Sequence, residues 1–146
     1  MSAERVVVAT DGSCLRNPGP GGWAWATEDG RNGSGGHAGT TNNLMELRAV
    51  YEMLVALPEV PLLIQADSMY VINCFTRWVK GWRANGWKTA AKKPVANQEA
   101  IEMIAELLAG RDVQWEHVKG HAGHALNELV DSLARAAAEK VRDAAG

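Results

Sequence analysis

Four carboxylates of this 146-residue chain occupy positions from which they could act on one group. Asp11 follows the run VVVAT and Asp67 follows LLIQA, so each stands where an apolar, buried β-strand ends. If these strands are parallel neighbours, both acids lie at the carboxyl edge of the sheet, where open α/β sheets bind ligands. Glu46 is expected in the first turn of a helix, and Asp131 in about the first turn of the last helix.

Carboxylates that converge repel one another unless divalent cations neutralise their charge. Ligands that are all oxygen select hard ions such as Mg²⁺ or Mn²⁺. Two such ions, about 4 Å apart, stabilise the attacking water and the leaving oxygen of an in-line phosphoryl displacement. The four acids therefore predict a metal-dependent phosphodiester chemistry.

Each acid except Asp11 also has a purely structural interpretation. Asp67 could only begin a turn, Glu46 could complete a capping box with Asn43, and Asp131 could only complement a helix dipole. Asp11, at a strand end before a glycine, has no such explanation, and a buried carboxylate is costly unless it is paired or holds a metal.

His121 lies between two glycines in the loop KGHAGH and could carry a proton to or from a reacting phosphate. The alternative is a solvated loop histidine. Zinc is not expected here, since no cysteine or further histidine near His121 and His124 completes a tetrahedral site.

A basic segment with interleaved tryptophans lies in the middle of the chain. Residues 77–93 contain six lysines and arginines and no acid, whereas the other nine basic residues stand against all 17 acids. Such a block on an acidic body favours contact with a polyanion, as in phosphate contacts along a nucleic-acid backbone. Trp78, Trp82 and Trp87 could form a stacking platform, but at least two of them are expected to pack inward.

The order of apolar patterns and turn signals predicts a mixed sheet flanked by helices. A strand at 6–12 precedes a turn at 17–22, a strand at 23–26 and a weaker edge strand at 31–39, which together form an antiparallel meander. A helix opens at 40–43 and stops before Pro58, a strand spans 61–67, and Ser68 caps a further helix. A helix from Asn97 to Gly110, a strand at 113–118 and a last helix follow. The expected buried side of that last helix carries Leu129, Val130, Leu133, Ala134 and Ala137.

Composition bounds the class of protein. With 47% hydrophobic and 22% charged residues, 1–146 is expected to be one globular domain. Cys14 and Cys74 show no C-x-x-C spacing, which favours a reducing compartment. Neither a signal peptide nor an apolar run of membrane-spanning length is present, so a cytoplasmic protein without membrane contact is expected.

Five motifs together resemble a type 1 ribonuclease H of the bacterial kind, in the same order from about residue 6 to residue 138. They are TDGSCLRNPGPGGW, TTNNLMEL, ADSMYVIN, GWKTAAKKPVAN and VKGHAGHALNELVDSLA. The resemblance implies an α/β fold with a five-stranded mixed sheet of order 3-2-1-4-5, its first three strands antiparallel. It implies an endonuclease that cleaves the RNA strand of RNA–DNA hybrids, leaving 5′-phosphate and 3′-hydroxyl ends, and that removes RNA primers and R-loops. Two Mg²⁺ ions, with Mn²⁺ as a possible substitute, are expected at the four acids, and the chain is expected to be a monomer without an obligate protein partner.

The resemblance assigns roles residue by residue. Asp11, Glu46, Asp67 and Asp131 fall on the metal-binding carboxylates, with Asp11 the expected shared ligand, and His121 falls on a mobile histidine. Asn17, Asn42 and Asn43 match residues at the minor groove of the hybrid, Thr41 and Asn97 match a DNA-phosphate site, and 77–97 matches a basic handle on the DNA strand. The expected substrate-binding set is Cys14, Asn17, Thr41, Asn42, Asn43, Met69, Trp78, Lys80, Trp82, Arg83, Lys88 and Asn97.

The chain also departs from the family pattern. Met69 stands where many bacterial members have glutamine, so a contact there would use the backbone amide. Uncharged residues replace common basic ones at Leu44 near the phosphate site and at Ala84, Asn85 and Ala96 in the handle. We therefore expect the handle to bind the hybrid more weakly, and the affinity to depend less steeply on salt concentration.

Two alternatives remain. A non-catalytic hybrid-binding module would keep the handle but is expected to lack at least one carboxylate, and all four are present. A transposase-type or junction-resolving nuclease of the same fold would not be expected to carry the handle and TTNNLMEL.

Overall fold

The computed structural model describes residues 5–58, 61–119 and 124–145, and it contains a five-stranded mixed sheet flanked by helices. The strands lie in the order β3-β2-β1-β4-β5; β1, β2 and β3 are antiparallel neighbours, and β4 runs parallel to both β1 and β5. The elements are β1 Val6–Cys14, β2 Gly19–Thr27, β3 Asn32–Thr40, α1 Asn42–Ala56, β4 Leu62–Ala66, α2 Met69–Asn73, α3 Val79–Ala84, α4 Gln98–Leu108, β5 Val113–His117 and α5 Ala125–Ala145. The predicted fold class and strand order are confirmed.

The two faces of the sheet are packed differently. Successive strand residues point to opposite faces, and Val8 joins a cluster of large side chains that includes Leu47 and Ile64. Ala9 joins a second cluster, built largely of alanines, with Val130 and Ala134 of α5. Because that second face is made of small residues, α5 can lie close to the backbone of the sheet.

The predicted turn at 17–22 is wrong from residue 19 onward, because β2 begins at Gly19. Pro20 is tolerated there because the ladder with β3 is irregular between Gly19 and Gly21, and bulges are where strands accept proline. Gly22 has a packing reason: a Cβ at this position would lie 2.1 Å from the carbonyl oxygen of Ala134 in α5.

The helix capped by Ser68 is confirmed, but it is not a uniform α-helix. Ser68 Oγ accepts a hydrogen bond from the Val71 amide at 3.2 Å, and a π-helical turn at Cys74–Trp78 joins α2 to α3. The expected buried side of α5 also needs correction, because Leu129 is 44% exposed and Ala138 is fully buried. Among the described residues, no helix is both long and apolar enough to span a membrane.

Candidate active site

Two of the predicted acids lie side by side at the carboxyl edge of the sheet. Thr10 of β1 pairs with Ala66 of β4 in parallel register, so Asp11 and Asp67 are the next residues of neighbouring strands. Asp11 is only 6% exposed. Asp67 is exposed, and its carbonyl oxygen lies 3.1 Å from Nε2 of His117 at the end of β5. The expected meeting of the two strand-end acids is confirmed.

Glu46 reaches this edge because α1 begins directly against β1. A Cβ at Gly12 would lie 2.4 Å from the backbone nitrogen of Glu46, so only glycine permits this approach without a shift. The Gly12 amide also donates a hydrogen bond to the Glu46 carboxylate. Gly12 therefore fixes the distance between Glu46 and Asp11.

The expectation that Glu46 lies in the first turn is wrong, as is its capping box with Asn43. Helix α1 begins at Asn42, and its cap is Thr41, whose Oγ1 accepts from the Leu44 amide at 3.2 Å. Glu46 therefore belongs to the second turn, too far along the helix for a capping role. This removes the structural alternative for Glu46.

Asp131 is brought to the same edge by α5. It is the seventh residue of that helix, beyond the first turn where it was expected and beyond the reach of the helix dipole. Arg135 lies 3.6 Å away, but both side chains are at least half exposed, so the pair contributes little stability. The close packing of α5 on Gly22 is what places Asp131 near β1.

The acids influence one another's ionisation. Burial is the main reason that the pKa of Asp11 rises to about 7, and the charges of Asp131 and Asp67 raise it further. Burial and the charges of Asp11 and Asp67 hold the pKa of Glu46 well above its ordinary value. A side-chain hydrogen bond between the two lowers the pKa of Asp11 and raises that of Glu46. Without a positive charge nearby, burial and mutual repulsion thus oppose full ionisation of the acids at this edge.

Three predicted substrate residues form one network beside this edge. The Asn42 side-chain oxygen accepts from the Cys14 amide at 2.9 Å, and the Asn17 side-chain oxygen accepts from the Asn42 amide at 3.2 Å. The Cys14 thiol donates to the carbonyl of Thr40 at 3.4 Å. Asn17, Asn42 and the neighbouring Asn43 are exposed. The network holds the loop after β1 against the start of α1.

The expected phosphate-site residues have structural partners as well. Thr41 caps α1, and Asn97 precedes α4 in a left-handed conformation with φ 61°. The Asn97 side-chain amide donates to the Tyr70 hydroxyl at 3.2 Å. Met69, at the start of α2, is 44% exposed.

The basic segment combines a packed aromatic row with free cations. Trp82 and Trp87 pack against the core, as expected of two tryptophans, whereas Trp78 is 39% exposed. Ring centroids are 5.7 Å apart for Trp78 and Trp82, and 6.2 Å apart for Trp82 and Trp87. The loop after α3 is tied down by a hydrogen bond from the amide of buried Val95 to the carbonyl of Trp87 at 3.0 Å. The six cations are exposed, and within the described ranges none of them forms an ion pair: Arg77, Lys80, Arg83, Lys88, Lys92 and Lys93.

His121 lies outside the described residues, so its role stays a prediction. Sequence reasoning missed Gly12 and Gly22 as residues that build the site. The signals were a glycine directly after the strand-end aspartate and the paired glycines of PGPGGW.

Comparison with known proteins agrees with this architecture. The family model described as RNase H matches residues 3–139. The ribonuclease H of Tropheryma whipplei is 48% identical over 140 residues, covering 94% of this chain and 87% of the relative. The ribonuclease H of Roseobacter denitrificans is 50% identical over 136 residues, covering 87% and 91% of the two chains.

A solved structure described as LC9-RNase H1, a type 1 RNase H with the type 2 active-site motif, superposes with a TM-score of 0.80 at 31% identity. The match covers 96% of this chain and 75% of that one. With its sheet order, its strand-end acids and these relatives, the chain belongs to the ribonuclease H family, as a type 1 ribonuclease H that acts on the RNA strand of RNA–DNA hybrids.

Proposed function

We propose that the chain hydrolyses the RNA strand of RNA–DNA hybrids at the edge formed by Asp11, Glu46, Asp67 and Asp131. The observation that carries the proposal is the convergence of the other three acids on buried Asp11, whose pKa is about 7. A fold that served only to bind a duplex would gain nothing from this repulsion. The alternative of a non-catalytic hybrid-binding module therefore does not explain why the acids converge.

The residues at this edge fit divalent cations. The family depends on divalent metal ions, and the donors here are all carboxylate oxygens, which suit Mg²⁺ or Mn²⁺. A bound cation would favour the ionised forms of Asp11 and Glu46, which burial and mutual repulsion now disfavour. Among the described residues, no three His, Cys, Asp or Glu side chains already form a metal-binding group. The acids nevertheless act on one another, since the charges of Asp131 and Asp67 both raise the pKa of Asp11.

We assign the four acids to two Mg²⁺ ions, with Asp11 shared, and Mn²⁺ as a possible substitute. When bound by these residues, such ions would supply a nucleophilic water and stabilisation of the departing oxygen, and the ends expected are 5′-phosphate and 3′-hydroxyl. The chain's own task is rigid placement. Asp11 is fixed by its strand and Glu46 by the Gly12 amide, so neither needs to reorganise far.

We propose that residues around this edge bind the substrate. The network of Cys14, Asn17 and Asn42 holds short amides at the surface, where they suit a minor groove with 2′-hydroxyls. Thr41 and Asn97 are proposed to hold a DNA phosphate, and the basic segment the DNA backbone. His121 is proposed to move a proton at the scissile phosphate. We further propose a single-domain cytoplasmic monomer that removes RNA primers and R-loops.

The test is cleavage of end-labelled RNA–DNA hybrid, double-stranded RNA and double-stranded DNA of one sequence, with Mg²⁺ or with EDTA. Cleavage is expected only of the RNA strand of the hybrid and only with Mg²⁺, and the fragments should carry 3′-hydroxyl ends that a polymerase extends. Tight binding of the hybrid without cleavage would support the binding-module alternative. Cleavage of duplex DNA would support another nuclease of this fold.

A further inference from the structure

The loop between β1 and β2 carries a cation that the proposed substrate contacts do not use. Arg16 is exposed, and among the described residues it forms no ion pair. It directly precedes Asn17, whose side chain binds the start of α1. Its backbone is therefore next to one predicted minor-groove residue, at the other end of β1 from the β2–β3 hairpin.

The loop that presents Arg16 is held on both sides. The Leu15 amide donates to the carbonyl of Pro20 at 2.9 Å, and Asn17 Oδ1 accepts from the Asn42 amide at 3.2 Å. A Cβ at Gly19 would lie 2.8 Å from the Arg16 carbonyl oxygen, so glycine lets the chain fold back closely here. A fixed backbone reduces the entropy lost when the guanidinium binds.

Arg16 also lines a depression of about 430 Å³ between this loop and the end of α5. Among the described residues, its lining includes two charged side chains, Arg16 and Arg142, and no acid. Arg142 contacts Asp143 at 3.1 Å, so Arg16 is the less compensated of the two. The depression is therefore suited to an anion, and a guanidinium binds phosphate oxygens in a bidentate manner.

We propose that Arg16 binds a backbone phosphate of the hybrid, several nucleotides from the scissile bond. This rests on the proposed function. Arg16 lies five residues after Asp11, so their Cα atoms are at most about 17 Å apart in extended chain. At about 3.4 Å of helix axis per nucleotide of one strand, this Cα separation corresponds to about five nucleotides, to which the length of the arginine side chain adds. Arg16 thus extends the proposed hybrid-binding surface to the β1–β2 loop and adds a positive charge outside the basic segment.

The test compares Arg16→Ala, Arg16→Lys and Arg31→Ala on hybrids in which a short ribonucleotide run fixes the cleavage site. Arg31 is a matched exposed arginine on the hairpin at the opposite end of the sheet, where it pairs with Asp29. Arg16→Ala is expected to raise KM about 3- to 10-fold, to lower the slope of log affinity against log salt by about 0.9, and to leave kcat within twofold. Arg16→Lys should recover most of the salt slope, and Arg31→Ala should match the parent.

Shortening the hybrid locates the contact. When one arm is trimmed from about ten to two base pairs, the difference between the parent and Arg16→Ala should vanish; trimming the other arm should preserve it. Equal KM values for Arg16→Ala and Arg31→Ala, a difference that survives both truncations, or a fall in kcat alone would overturn the proposal. If the parent itself fails to cleave the hybrid, the proposed function fails, and binding assays with the same truncations still test Arg16.

Discussion

The acidic edge and the basic segment are both charged, yet the fold treats them in opposite ways. At the edge, Asp11 is 6% exposed and Glu46 is partly buried, and their pKa values are raised. In the segment, Lys80, Arg83 and Lys88 are exposed, whereas Val79, Trp82 and Trp87 pack against the core. At the edge, burial of the carboxylates is electrostatically unfavourable but fixes their geometry, whereas the cations of the segment stay solvated.

The difference reflects two tasks. Chemistry at one phosphate needs atoms held within a fraction of an ångström, which only packed backbone provides. Affinity for a duplex backbone needs positive charge along a path, and exposed lysines supply it without exact placement. Substitutions at the edge should therefore change turnover and stability, and substitutions in the segment should change binding and its salt dependence.

The largest contrast is expected from Asp11→Asn. Removing a ligand from a metal site that contributes several kcal/mol to the transition state should lower turnover at least about 10³-fold. Affinity for the hybrid should stay within about threefold, since the duplex contacts lie elsewhere. Single-turnover cleavage and equilibrium binding measure the two effects. Asp29→Asn, an exposed acid on the β2–β3 hairpin, is the control and should cleave normally; turnover retained by Asp11→Asn would remove Asp11 from the site.

A pH dependence of stability should follow from Asp11. Its pKa in the folded state is about 7, above the ordinary 3.8, so its stabilising contribution is complete below about pH 4 and is lost as pH rises through about 7. The loss is at most about 4 kcal/mol, since each pKa unit corresponds to about 1.4 kcal/mol. Urea unfolding in EDTA at pH 5 and pH 8 measures it. Asp11→Asn should flatten the profile, and Mg²⁺ should restore stability at pH 8; identical profiles for parent and variant would contradict the raised pKa.

Gly12 and Gly81 allow a matched comparison between a glycine that is closely packed and one that is not. Gly12→Ala places a methyl group 2.4 Å from the Glu46 nitrogen, so it should lower the free energy of unfolding by about 1–3 kcal/mol and reduce turnover as Glu46 shifts. A Cβ at Gly81 in α3 would meet none of the described residues within 4 Å, so Gly81→Ala should instead stabilise the protein by up to about 1 kcal/mol. Thermal unfolding and kcat separate the cases, and a Gly12→Ala variant with normal kcat would show that the close approach is dispensable.

The smallest effects are expected for single cations of the segment. Lys80→Ala and Arg83→Ala should each weaken hybrid binding a few-fold and reduce the salt slope by about 0.9, with kcat unchanged. Titrations at several salt concentrations measure both quantities. Lys80→Arg keeps the charge and should keep the slope. An unchanged slope in Lys80→Ala would place the duplex away from this segment.

Local pattern was sufficient for the strands and for most of the helices. The runs VVVAT and LLIQA predict buried strands that end in aspartate, and both strands are present in parallel register. A serine before an apolar helical pattern predicts a cap at Ser68, and Ser68 Oγ accepts a hydrogen bond from the Val71 amide. Three residues of suitable type, Thr41, Asn42 and Asn43, precede the apolar pattern of α1. Thr41 is the cap, so Glu46 lies in the second turn and not in the first.

The sequence by itself determined the fold class, the four acids and the basic segment, because each depends on residue type and short-range periodicity. Only the tertiary structure decided how close the acids lie and how much their pKa values rise. Those quantities depend on the approach of α1 at Gly12 and of α5 at Gly22, which join residues more than 30 positions apart. Burial and repulsion at Asp11 arise only when these helices close on the sheet.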